Sequence, residues 1–160
     1  IRRFERVNTD GMVVSYIHAG GKIGVLVEAD TDGSGAEIEE CLKNVAMQVA
    51  AMNPKYVSTA DVSEEYKAHE LEILVAQAKN DPKNANKPDN IIEKMVEGRI
   101  AKYFKEVCLL EQPFVKDPDQ SVAQMLGDVE IKGFVRFEMG EGLEKRQDNF
   151  AEEVMGQMKK

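Results

Sequence analysis

Tryptophan is absent from this 160-residue chain, and aromatic residues make up only 6% of it. Aliphatic side chains and methionine must therefore fill much of any core, and 42% hydrophobic residues is enough for a real one. Cysteine is scarce as well. Cys41 and Cys108 stand far apart, with no Cys-x-x-Cys and no histidine at ligand spacing. That argues against a disulfide framework or a bound metal and for a reducing, cytoplasmic setting. No apolar run approaches the roughly 18 residues of a membrane span. No apolar segment follows Ile1-Arg2-Arg3-Phe4 to make a signal peptide. Positive charge is outnumbered: the net charge is −8, with acidic residues spread along the chain. Nucleic acid is not an expected partner, because phosphate neutralisation needs clustered Lys and Arg. The chain also opens without Met, which points to a processed product or a piece of something longer.

What is present is a regular alternation of signals. Arg2 to Arg6 leads into Val7 and reads as the tail of a preceding element or a first edge strand. Met12–His18 is rich in β-branched and aromatic residues, and Gly20-Gly21-Lys22 makes a turn into a second such run, Ile23–Ala29. Together they predict an antiparallel hairpin. From Ala36 to Met52 the apolar residues Ile38, Cys41, Leu42, Val45, Ala46, Val49 and Met52 recur at helical spacing until Asn53-Pro54 stops them. Tyr56-Val57 is a short extended piece, and Ser63 is an N-cap candidate for a helix reaching about Lys79. Residues 80–88 are a polar, proline-flanked loop, and a second helix returns over Ile91–Glu106 on Ile92, Val96, Ile100 and Phe104. Two helices joined by one short loop pack antiparallel, and their narrow apolar stripes suggest a projecting coiled arm.

Beyond the arm, Gln112–Pro118 reads as irregular, pinned by Pro113 and Pro118, and Ser121 can cap a short helix over Val122–Leu126. Val129–Met139 alternates as a strand. Ile131, Gly133, Val135, Phe137 and Met139 are expected on one side, with Lys132, Phe134, Arg136 and Glu138 on the other. Gly140-Glu141-Gly142 turns, and residues 148–160 read as a final helix striped by Phe150, Val154 and Met158. The expected class is α+β: a small antiparallel sheet packed with helices, an inserted helical hairpin and a C-terminal helix.

No motif supplies reactive chemistry. His18 ends a strand without a neighbouring nucleophile or orienting acid, and His69 reads as a solvated helix residue. Cys108 lies among Val107, Leu109 and Leu110, so a buried, inert thiol is expected, although a Cys108–histidine pair would make an enzyme. Neither Gly20-Gly21-x-x-Gly24 nor Gly140-Glu141-Gly142 has the strand-to-helix setting of a phosphate loop. The adjacent acids Glu39-Glu40, Glu64-Glu65 and Glu152-Glu153 diverge on their helices. The expectation is a protein without catalytic residues, cofactor or metal, working through a surface.

Several segments in order carry a resemblance: Tyr16-Ile17-His18-Ala19-Gly20 with Ile23–Val27; Ala46-Met47-Gln48-Val49-Ala50-Ala51 with Pro54; Ile92–Arg99; Glu111-Gln112-Pro113-Phe114-Val115; Gly140–Lys145; and Phe150–Val154. The chain resembles the C-terminal part of the bacterial elongation factor Ts family. The resemblance implies a guanine-nucleotide exchange factor that docks on elongation factor Tu. It implies the second half of a core over residues 1–60 and 107–147. An inserted dimerisation or accessory arm would occupy 61–106, and a docking helix 148–160. It places partner contacts at His18, Ala19 and Gly20, beside Pro113, Phe114 and Val115, and on the terminal helix at Phe150 and Val154. The family's Thr-Asp-Phe-Val motif, which disturbs the partner's nucleotide and Mg²⁺ site, is not in this chain. A fragment that docks but exchanges poorly is therefore expected. The alternative is a homodimeric scaffold built on the helical hairpin.

Overall fold

A computed structural model of the chain describes residues 3–31, 35–84 and 87–143. Strands β1 (Met12–His18) and β2 (Ile23–Asp30) form the expected antiparallel hairpin, in register from Met12↔Ala29 to His18↔Ile23. Helix α1 (Ala36–Met52) packs across one face of it, carrying Leu42, Val45, Ala46 and Val49 into the core. Asn53 ends α1 in the left-handed region (φ 49°), its N–H donating to the Val49 carbonyl at 3.0 Å. Pro54 then prevents any continuation.

The arm follows. Ser63 caps α2 (Glu64–Asn80) by accepting from the Tyr66 N–H, and α3 (Asp89–Val107) runs back alongside. Ala78, Leu74 and Val75 near the end of α2 meet Ile92 and Val96 near the start of α3. At the other end the Tyr66 and Tyr103 hydroxyls are 2.6 Å apart, so the helices are antiparallel. The two roots of the arm are laced together by backbone bonds. Lys55 and Tyr56 donate to the Val107 carbonyl, Leu109 to Tyr56, and Leu110 to Val57. The expected extended piece at Tyr56 is thus a parallel bridge to Cys108.

At the arm's tip Asn84 is buried. Its Nδ2 donates to the Ala78 carbonyl at 2.9 Å, and its Oδ1 accepts from Lys87 Nζ at 2.8 Å. One side chain therefore closes the last turn of α2 and pins the loop. Replacing it (Asn84→Ala) leaves the buried Ala78 carbonyl unpaired, a loss of about 1–2 kcal/mol. Faster amide hydrogen exchange in the last turn of α2, with the sheet unaffected, is the expected result.

Strands β3 (Pro113–Phe114) and β4 (Asp117–Ser121) make a second, two-stranded sheet where an irregular segment is expected from sequence. Among the described residues no third strand pairs with either of them, so neither Pro113 nor Pro118 interrupts a strand ladder that the fold needs. Ser121 caps the short helix α4 (Val122–Leu126) with a reciprocal bond from Gln124, as expected.

Strand β5 (Glu130–Glu138) joins β2 antiparallel, giving the order β1-β2-β5 and leaving β2 central. The alternation expected along β5 is overturned. Ala29 faces Ile131 and Glu28 faces Gly133, so Lys132 is an extra residue at a bulge. The faces exchange there. Ile131, Phe134 and Arg136 lie toward α1, opposite Ala29, Val27 and Val25, and the Arg136 guanidinium reaches the Ala50 carbonyl at 3.3 Å. Val135 and Phe137 lie on the outer face with Ile17 and Leu26. Residues 3–9 form neither helix nor strand, contrary to the edge-strand expectation. They cross that outer face, where Arg3 lies 4.8 Å over the Phe137 ring and 2.7 Å from Glu141.

Candidate docking surface

The His18-Ala19-Gly20 segment is the exposed tip of the β1–β2 hairpin. Three consecutive residues have positive φ: Ala19 at 51°, Gly20 at 65° and Gly21 at 91°. Glycine takes that region freely, whereas alanine is strained there. The tip is anchored on both sides. Tyr16 hydroxyl and His18 Nδ1 are 2.9 Å apart, and Met139 N–H donates to the Lys22 carbonyl at 2.8 Å. It thus presents a short, fixed backbone with an imidazole beside it.

The second segment stands elsewhere, against the middle of α1. Its three residues are divided: Phe114 is 5% exposed and faces inward, while Pro113 and Val115 (39%) face solvent. What holds this tip is polar. Gln48, fully buried on α1, accepts from the Val115 N–H at 2.9 Å and donates to the Pro113 carbonyl at 3.1 Å. Its amide also donates to Gln112 Oε1 at 3.1 Å, and Gln112 Nε2 donates to the Glu106 carbonyl at the end of α3 at 2.7 Å. One turn earlier on α1, Asn44 accepts from Lys116 Nζ at 2.7 Å. Sequence reasoning gave Gln48, Gln112 and Asn44 no role. The available signal was a lone amide inside the otherwise apolar run Val45–Ala51. Phe150 and Val154 lie outside the described residues.

The reading of Cys108 as a nucleophile fails on its packing. The side chain is fully buried in the cluster of Val62, Val107, Tyr56 and Tyr103. Burial pushes its thiol above the usual range, and the charges of Glu111 and Asp61 add to the rise. His18 is held at the sheet tip, and His69 is exposed on α2 beside a groove of about 850 Å³. Cys41 lies 3.6 Å from Met125 Sδ, and burial raises its thiol as well. Among the described residues no cluster of His, Cys, Asp and Glu is placed to hold a metal, and no helix is long and apolar enough to cross a membrane.

Comparison with known proteins gives this surface its setting. The family model described as elongation factor TS matches residues 1–141. Elongation factor Ts of Clostridioides difficile is 56% identical, with 99% of this chain aligned to 54% of that protein. The same factor from Desulforamulus reducens is 50% identical over 96% of the chain and 75% of its own length. The factor from Clostridium perfringens is 50% identical over 96% of the chain and 52% of its length. The chain thus spans from about half to three quarters of the relatives it matches. By the extent of the match and by these identities, the chain belongs to the elongation factor Ts family.

Proposed function

We propose that this chain acts by docking on elongation factor Tu, as the adhesive part of a guanine-nucleotide exchange factor in translation. The family match over residues 1–141 carries the reading. Two exposed tips with fixed backbones support it. His18, Ala19 and Gly20 meet the partner's C-terminal domain, Pro113 and Val115 form a second contact, and Phe114 anchors that contact from inside. Phe150 and Val154 join as anchors on the nucleotide-binding domain, on the resemblance alone. Such a factor binds the nucleotide-free partner more tightly than the nucleotide-bound one, and by reciprocity it weakens nucleotide binding. That coupling needs no bond chemistry from this chain. A cytoplasmic setting goes with the partner.

The Thr-Asp-Phe-Val motif is not in these 160 residues. By itself the chain docks but stimulates exchange poorly. The test uses elongation factor Tu loaded with a fluorescent GDP. Calorimetry with nucleotide-free Tu is expected to show binding in the micromolar range, about −8 kcal/mol. The rate of GDP release should rise only a few-fold. Absence of binding sinks the reading, and a rate matching a full-length factor removes the division between docking and exchange.

A second reading, self-association through the arm, is favoured by Leu71, Ile73 and Ile91, exposed at 41%, 36% and 45%. A dimer in sedimentation that is lost when residues 61–106 are replaced by a short linker is its expected signature. A monomer at high concentration excludes it.

A further inference from the structure

Buried amides are rare in cores unless fully bonded, and here two of them meet. Gln48 and Gln112 are each 0% exposed, on α1 and just past the root of the arm. Their orientation is fixed by their partners. Gln48 Oε1 faces the Val115 N–H, while Nε2 serves both the Pro113 carbonyl and Gln112 Oε1. Turned over, the amide would set a donor against the Val115 N–H. The carbonyl of Pro113 and the N–H of Val115 flank Phe114 on one edge of β3, the pair that a neighbouring strand would take. The Gln48 side chain stands in for a peptide unit of that missing strand. Gln112 passes the connection on to the Glu106 carbonyl, and Asn44 holds Lys116 from the exposed side.

We propose that Gln48, assisted by Gln112 and Asn44, is a positioning residue that sets the Pro113–Lys116 tip at a fixed height on α1 and ties it to the root of the arm. This rests on the docking reading of the tip. No described side chain of the hairpin itself makes these bonds to Pro113 and Val115, so its two-stranded sheet gains from α1 the order that a third strand would give it. A tip held in this way meets a partner with its backbone already ordered, and less freedom is lost on association.

The test is Gln48→Met in the full chain, which keeps an unbranched side chain of similar volume and removes all three hydrogen bonds. The Val115 amide is expected to exchange with solvent at least about tenfold faster, while the Val27 amide in the central strand is unchanged. The dissociation constant for nucleotide-free Tu should rise about tenfold. Gln48→Glu keeps the acceptor facing Val115 but sets a carboxylate oxygen against the Pro113 carbonyl and Gln112 Oε1. It should therefore bind Tu no better than Gln48→Met; full recovery of affinity would show that the bonds to Pro113 and Gln112 do not hold the tip. If Gln48→Met does not fold, Asn44→Ala takes its place. It removes only the exposed strap and should weaken binding about threefold at unchanged Val27 exchange. Unchanged affinity alongside a faster Val115 amide overturns the positioning role and leaves docking intact. An unchanged Val115 amide overturns the clamp itself. If the parent chain fails to bind, the docking reading has failed, and this proposal with it.

Discussion

Deleting Val135 is expected to cost about 3 kcal/mol or more in urea unfolding, whereas deleting Lys132, three residues away, is expected to leave the transition almost where it was. The asymmetry comes from the bulge. Lys132 is the residue without a partner between the pairs Ala29↔Ile131 and Glu28↔Gly133. Without it those pairs become consecutive, Ile131 still points at α1, and Phe134 and Arg136 keep their places. Only the exposed pair of Lys132 with Asp30, 3.1 Å apart, is lost. Val135 has no such freedom. If the bulge persists after its removal, Arg136 swings to the outer face and Phe137 enters the core, because the side-chain period is two. If the bulge heals instead, Gly133 comes to face Val27 where Phe134 now packs, leaving a hole the size of a phenyl ring. Similar midpoints for the two deletions would show that the bulge does not set the faces of β5.

The same bulge marks the limit of what the sequence discloses. The hairpin, α1, both arm helices and the cap at Ser121 are local. Their signals are periodicity, a turn glycine or a capping hydroxyl, and each is read within a few residues. The faces of β5 are not local. Residues 129–139 alternate as a regular strand, and nothing in them says that one residue will be left unpaired against Glu28 and Ala29. The short sheet at Pro113–Ser121 was obscured for a related reason. Proline reads as a breaker, yet its missing N–H matters only where a neighbouring strand needs it. In the candidate surface, the exposed tip at His18–Gly20 follows from the glycine turn. The inward side chain of Phe114 does not follow from its neighbours, and neither does the clamp from Gln48. A buried amide is informative only once its partners are known, and those of Gln48 stand more than sixty residues away in the chain.

Gly11→Val carries the second large expectation, a loss of about 3 kcal/mol with docking preserved. Gly11 has no positive φ that would demand glycine. Its constraint is space: a Cβ at this position would lie 2.1 Å from the Ala29 carbonyl oxygen and 3.2 Å from its carbon. Both are backbone atoms of the central strand, so no side chain can swing aside. The Met12↔Ala29 pairing next to it must open, and Ala29 is completely buried against the core. Strand β1 runs from Met12 to His18, six steps of about 3.4 Å, so the damage lies roughly 20 Å from the tip proposed to dock. Well below its lowered melting point the variant should therefore bind nucleotide-free Tu within about twofold of the parent. An unaltered melting temperature would mean that the two strands can part at this end without loss. A collapse of affinity in a folded variant would mean that the tip depends on the far end of its own hairpin.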